Sequence, residues 1–108
     1  MVSSEEKIQE LQVLEQNLQN FLMQKQVFQV EVAEIMNALE ELKSSSDEVY
    51  KIVGNIMLKA KKDSLNNELG DKRKILDLRI DSIEKQEKII EEKISKLKKE
   101  LNESFNKK

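Results

Sequence analysis

Two stretches of this sequence carry the same heptad pattern, and their spacings interlock. In the first, Leu11, Leu14, Leu18, Phe21, Lys25, Phe28, Val32, Ile35, Leu39 and Leu42 follow one another at alternating steps of three and four, and all but Lys25 are apolar. In the second, Leu69, Arg73, Leu76, Ile80, Ile83, Glu87, Ile90, Ile94, Leu97 and Leu101 do the same, with only Arg73 and Glu87 polar. This period keeps one narrow apolar stripe on a helix, which asks for a second helix along it. When the second stretch is folded back on the first, every layer finds a partner, from Leu42 facing Leu69 to Leu11 facing Leu101. The pattern predicts an antiparallel two-helix coiled coil within one chain. A seam from Leu11 to Leu42 would run for about 45 Å at the rise of an α-helix.

The helix ends and the connection between them follow from local chemistry. Ser3 and Glu6 have capping-box spacing, and Glu5 and Glu6 suit the positive end of a helix dipole. Helix 1 is therefore expected over residues 3–43, ending where Ser44-Ser45-Ser46-Asp47 begins a loop. Between the helices the period changes. Val49-Tyr50-Lys51-Ile52-Val53 and Ile56-Met57-Leu58-Lys59-Ala60 flank Gly54-Asn55, a pair that tolerates positive φ. This reads as a β-hairpin over 49–60. A two-residue loop would set Lys51 opposite Leu58, and a three-residue loop would set it opposite Lys59. The second is preferred for keeping apolar side chains on one face, despite the like charges it pairs. Asp63 or Ser64 is expected to cap helix 2, over 64–103. Gly70, beside the seam, weakens its first turns by about 1 kcal/mol relative to Ala.

Composition narrows the function. Charged residues make up 37% of the chain and aromatics 4%, with no Pro, as expected of long exposed helices sharing a narrow seam. Cys and His are absent, which removes disulfides, thiol and imidazole chemistry and the usual zinc sites. No cofactor is expected. No apolar run approaches a membrane span and no signal peptide is visible, so a cytoplasmic location is the default expectation. The first helix is acidic and the second mildly basic, which suits two faces complementing each other. A nucleic-acid site would need a basic stripe with aromatics, and the second half offers only Phe105.

The hairpin has a problem that its own chain cannot solve. A lone two-stranded sheet is marginal in water, and its open edges invite pairing. The expectation is an obligate oligomer assembled through Val49, Tyr50, Ile52, Val53, Gly54, Ile56 and Leu58, with helical arms projecting from it. Helix, hairpin, helix, in that order and at this length, resembles prefoldin, in particular an archaeal-like β-type subunit. The residues carrying the resemblance are Val49-Tyr50-Lys51-Ile52-Val53-Gly54, Met57-Leu58-Lys59, the stretch from Arg79 to Lys88, and Gln24-Lys25-Gln26. It covers nearly the whole chain as a single domain, and rests on order and spacing rather than on one motif.

That resemblance implies a mainly α subunit whose hairpin joins those of other chains in a barrel body. It implies a hexamer of two α-type and four β-type subunits, acting as an ATP-independent chaperone. Such an assembly holds unfolded proteins at the coiled-coil tips and passes them to a group II chaperonin. Here the tip would comprise Ile8, Leu11, Val13, Leu14, Leu97, Leu101 and Phe105. Leu14, Leu18 and Leu97 are read chiefly as seam closures, whereas Ile8, Val13 and Phe105 fall outside the paired layers, where fraying ends leave apolar groups exposed. Glu100 and Glu103 are candidates for docking the chaperonin by charge. Lys25 and Glu87, two polar residues in one layer, are read as an ion pair that fixes register. The rival function is a coiled-coil tether with one defined partner, and an enzyme is a distant third.

Overall fold

The computed structural model describes residues 3–106 in the order α1 (Ser4–Lys43), β1 (Glu48–Val53), β2 (Ile56–Lys61) and α2 (Lys62–Asn106). All twenty predicted seam positions are buried or half-buried. Most of the fully buried residues lie on α2, where Leu76, Ile83, Glu87, Ile94, Leu97 and Leu101 join Ile35 and Leu42 of α1. The heptad stripe is thus the core, and the remaining faces of the helices carry the charge together with exposed apolar side chains such as Met23, Val27, Val30, Leu78 and Ile89.

The described residues fall into two compact units, one of residues up to Val27 together with those from Asp81 onward, the other Phe28–Ile80. In the first unit α1 begins with the expected cap. The Glu6 N–H donates to Ser3 Oγ at 3.2 Å, and the Lys7 N–H to the Ser3 carbonyl at 3.0 Å. The second unit holds the end of α1, the hairpin and the start of α2. Here Arg79 lies over the Phe28 ring, 5.8 Å from its centre. Arg73 is half-buried, with Nε 3.8 Å from Asp77, and lines one cleft with Leu39, in keeping with a stem lying over apolar surface and a guanidinium reaching outward.

The hairpin register corrects the preference for a three-residue loop. Val53 pairs with Ile56, Lys51 with Leu58, Tyr50 with Lys59 and Glu48 with Lys61. Gly54 has φ +63° and Asn55 does not have positive φ, which fits a two-residue loop with glycine at its first central position. This register sets no lysine opposite another and pairs Glu48 with Lys61, so the turn and the cross-strand charges agree. Its cost is Lys51 on a face with Val49, Val53, Ile56 and Leu58. The cost is met by reach, for the Lys51 ammonium lies 3.3 Å from Glu68 of α2.

Helix α2 starts at Lys62, directly from β2 and ahead of the expected cap at Asp63 or Ser64. The Lys62 N–H donates to the Asp47 carbonyl at 2.9 Å, and its ammonium donates to the carbonyls of Lys43 and Ser45, each at 3.2 Å. Ser44 Oγ and Ser45 Oγ both donate to the Glu41 carbonyl. At the end of α1 the Glu41 carbonyl thus accepts from both hydroxyls and the Ser44 N–H, the Leu42 carbonyl from the Ser45 N–H and the Lys43 carbonyl from the Lys62 ammonium, in place of a glycine cap.

Candidate functional site

Three groups of residues carry the functional expectations. The first is the hairpin. Tyr50, Ile52, Val53, Ile56, Met57 and Leu58 are 43% to 70% exposed, on strands of six residues each. Val49 is half-buried, and Gly54 forms the turn. Tyr50, Ile52 and Met57 share one face, and Val53, Ile56 and Leu58 share the other, because side chains alternate across the strands. So much apolar surface on a two-stranded sheet exceeds what one turn of chain needs and is characteristic of surface that another chain covers.

The second group lies where α1 begins and α2 ends. Ser4 Oγ is 3.4 Å from Ser104 Oγ, and the Lys7 ammonium is 3.6 Å from Glu100. Ile8, Val13 and Phe105 are exposed, Leu11 and Leu14 half-buried. Leu97 and Leu101 are different. They are 8% and 7% exposed and close the seam, as the heptad reading of Leu97 expects, so neither offers exposed surface to the tip. Antiparallel packing extends to the Leu101 layer, which leaves only positions beyond it or off the stripe to face outward. Glu100 is paired with Lys7, while Glu103 is exposed beside it.

The third group is the seam pair. Lys25 Nζ lies 2.8 Å from Glu87 Oε1, with the lysine side chain 21% exposed and the glutamate 6%. Glu87 Oε1 is buried and has no hydrogen bond of good angle, so the ammonium is above all its counter-charge. The contact with Glu87 raises the Lys25 pKa above the usual 10.5, against the lowering effect of desolvation, and the Glu84 and Glu91 carboxylates add to the rise. Phe21 and Ile90, the next layer, are half-buried beside it.

Two side chains escaped the sequence reading. They are Lys62, on the carbonyls of Lys43 and Ser45, and Glu68, on the Lys51 ammonium. Nothing local signalled the first, for Lys62 lies 19 residues past Lys43 and reaches its carbonyl only because the hairpin brings the chain back. Nothing in the sequence pointed to the second, because its pairing depends on the hairpin register. Among the described residues no cluster of His, Cys, Asp or Glu is placed to hold a metal, and no helix is long and apolar enough to cross a membrane.

Comparison with known proteins places this arrangement. The sequence profile of the prefoldin subunit family matches residues 5–108. The prefoldin β subunit of Saccharolobus islandicus is 36% identical over 98 residues, covering 89% of this chain and 78% of the relative. That of Sulfurisphaera tokodaii is 37% identical over 95 residues, covering 86% and 76%. The crystal structure of the prefoldin β subunit from Thermococcus strain KS-1 superposes with a TM-score of 0.88 at 33% identity, covering 97% of this chain and 94% of that one. With its two heptad helices joined by a two-stranded hairpin, this chain belongs to the prefoldin family and is one of its chaperone subunits, not an enzyme.

Proposed function

We propose that the chain is a β-type subunit of an ATP-independent holdase that captures non-native proteins and releases them to a group II chaperonin. Its hairpin joins those of α-type partners and further β-type copies, two of the former to four of the latter, in a barrel-like body. Non-native polypeptides are held at the ends of the helical arms. The observation that carries this reading is the exposure of Ile8, Val13 and Phe105 at the paired helix ends, where a tether would bury its apolar groups. A loosely packed apolar patch accepts many partners because it imposes little shape. Ile8, Val13 and Phe105 are the contact residues, half-buried Leu11 and Leu14 join them when the end frays, and Leu97 and Leu101 keep the two helices together. Glu103, and Glu100 when released from Lys7, supply charge for the chaperonin.

The test is aggregation of chemically denatured proteins of unrelated sequence, diluted into buffer with the assembled chaperone. Deleting residues 1–9 and 102–108 is expected to remove most of the protection while native mass spectrometry still finds the assembly. Equal protection by the truncated assembly would move client binding elsewhere. Protection of a single partner only would favour the tether.

A further inference from the structure

The hairpin leaves two strand edges open, for neither strand has a second neighbour among the described residues. Its register fixes which backbone groups those edges carry. In an antiparallel pair with a two-residue loop, Val53 and Ile56 exchange hydrogen bonds, and so in turn do Lys51 with Leu58 and Val49 with Ala60. The Lys62 N–H on the Asp47 carbonyl, at 2.9 Å, continues this alternation. Glu48, Tyr50 and Ile52 therefore turn their peptide groups away from β2, and Met57, Lys59 and Lys61 turn theirs away from β1. The Glu48 carbonyl accepts from Ser46 Oγ at 3.0 Å and keeps a second lone pair for another donor. All six residues are exposed, and their side chains share one face.

The two edges differ in charge. The open edge of β1 presents Glu48, and that of β2 presents Lys59 and Lys61. Two copies can meet along these edges in three full-length antiparallel ways. Joining β2 to β2 about a two-fold axis sets Lys59 opposite Lys59, a repulsive pair. Joining β1 to β1 sets Glu48 opposite Ile52 and leaves both lysine edges bare. Both two-fold pairings also run the hairpins in opposite directions, so the turn of one copy lies beside the end of the other's strands, where α1 stops and α2 starts. Joining β1 of one copy to β2 of the next avoids each of these conflicts. The register inside the hairpin then repeats between copies, with Glu48 facing Lys61, Tyr50 facing Lys59 and Ile52 facing Met57. Six residues pair with six, all turns lie at one end, and all helices leave from the other.

We propose that copies of this chain join head to tail through the hairpin, the β1 edge of one pairing with the β2 edge of the next in the register that places Glu48 opposite Lys61. The inference rests on the hairpin reading above. It adds which edge meets which, and names a second copy of this chain as the neighbour. Charge complementarity selects that occupant, since each copy carries the acidic edge that its own lysine edge lacks.

The test uses the purified full chain, which has no native cysteine. Tyr50→Cys and Lys59→Cys chains are co-expressed and oxidised. Paired residues on neighbouring strands are close enough for a disulfide, so the mixture is expected to give a covalent dimer, and either variant alone none. A charge exchange gives a second readout. Glu48→Lys alone and Lys61→Glu alone are each expected to weaken self-association about threefold to thirtyfold in sedimentation, and their equimolar mixture is expected to recover most of it. Each mutant hairpin keeps its internal mismatch in the mixture, so recovery reports the contact between copies. Crosslinking of either cysteine variant alone in place of the mixture, or no recovery on mixing, would overturn the proposal. A chain that stays monomeric alone and assembles only with an α-type subunit would overturn it too, and leave the hairpin reading standing. An assembly that survives replacement of both Ile52 and Leu58 with Lys would remove both.

Discussion

Replacing Ile52 and Leu58 together with Lys tests the hairpin as the assembly element. Fully burying an aliphatic side chain contributes about 1.5–3 kcal/mol. Ile52 is 70% exposed and Leu58 43%, so covering what remains is worth about 1–2 and about 0.6–1.3 kcal/mol respectively. The double replacement forfeits roughly 2–3 kcal/mol for each hairpin covered, and at about 1.4 kcal/mol per decade this weakens each interface some 30- to 150-fold. Burying two ammonium groups against a neighbouring sheet adds a further penalty. The two residues lie on opposite faces of the sheet, so both contact surfaces are struck at once. Native mass spectrometry and sedimentation at micromolar concentration are expected to find dissociated chains, while circular dichroism keeps the helical signal, because no seam residue is altered. A variant that stays fully assembled over a hundredfold dilution would refute the assignment. So would loss of helix in parallel with assembly, which would make the hairpin a folding element.

The seam pair gives two further expectations. Lys25→Leu strands the buried Glu87 carboxylate and is expected to lower Tm more than Glu87→Leu, which leaves the less buried lysine free; the double Leu variant recovers most of the loss or exceeds the parent. Zero coupling in the double-mutant cycle would refute this. The Lys25 pKa is raised in the folded state, so the stability it confers is fully present below pH 10.5 and disappears as pH rises through the higher folded value. Thermal melts between pH 9 and pH 12 are therefore expected to fall more steeply for the parent than for the double Leu variant, and parallel profiles would contradict the assignment. Lys62→Met removes the cation from two carbonyls and is expected to lower Tm and to speed amide exchange at Ser44 and Ser45, whose turn it secures, with unchanged exchange counting against the clamp.

The coiled coil was legible because burial in a two-helix seam is periodic and local. Once Leu11 to Leu42 and Leu69 to Leu101 are aligned head to tail, no other register leaves Lys25 and Glu87 together. The hairpin was legible as an element from its β-branched runs and Gly54-Asn55. Its register was not, because face segregation and turn chemistry pointed in different directions and the loop residues carried the deciding information. The tip was legible only in part. Ile8, Val13 and Phe105 stand off the stripe and are exposed, while the heptad positions of Leu97 and Leu101 imply the burial they show, which competes with a place in the contact surface. The Lys62 clamp and the Lys51–Glu68 pair arise from contacts among hairpin, helix end and helix start, and exist only once the chain has folded.

The most direct measurement is capture and transfer in the absence of nucleotide. A denatured, labelled protein is mixed with the assembled chaperone, fractionated by size, and then challenged with a group II chaperonin. The account predicts that unrelated proteins co-elute with the assembly without ATP, in non-native form, and move to the chaperonin when it is added. Failure of any non-native protein to co-elute, or co-elution that requires ATP, would contradict it.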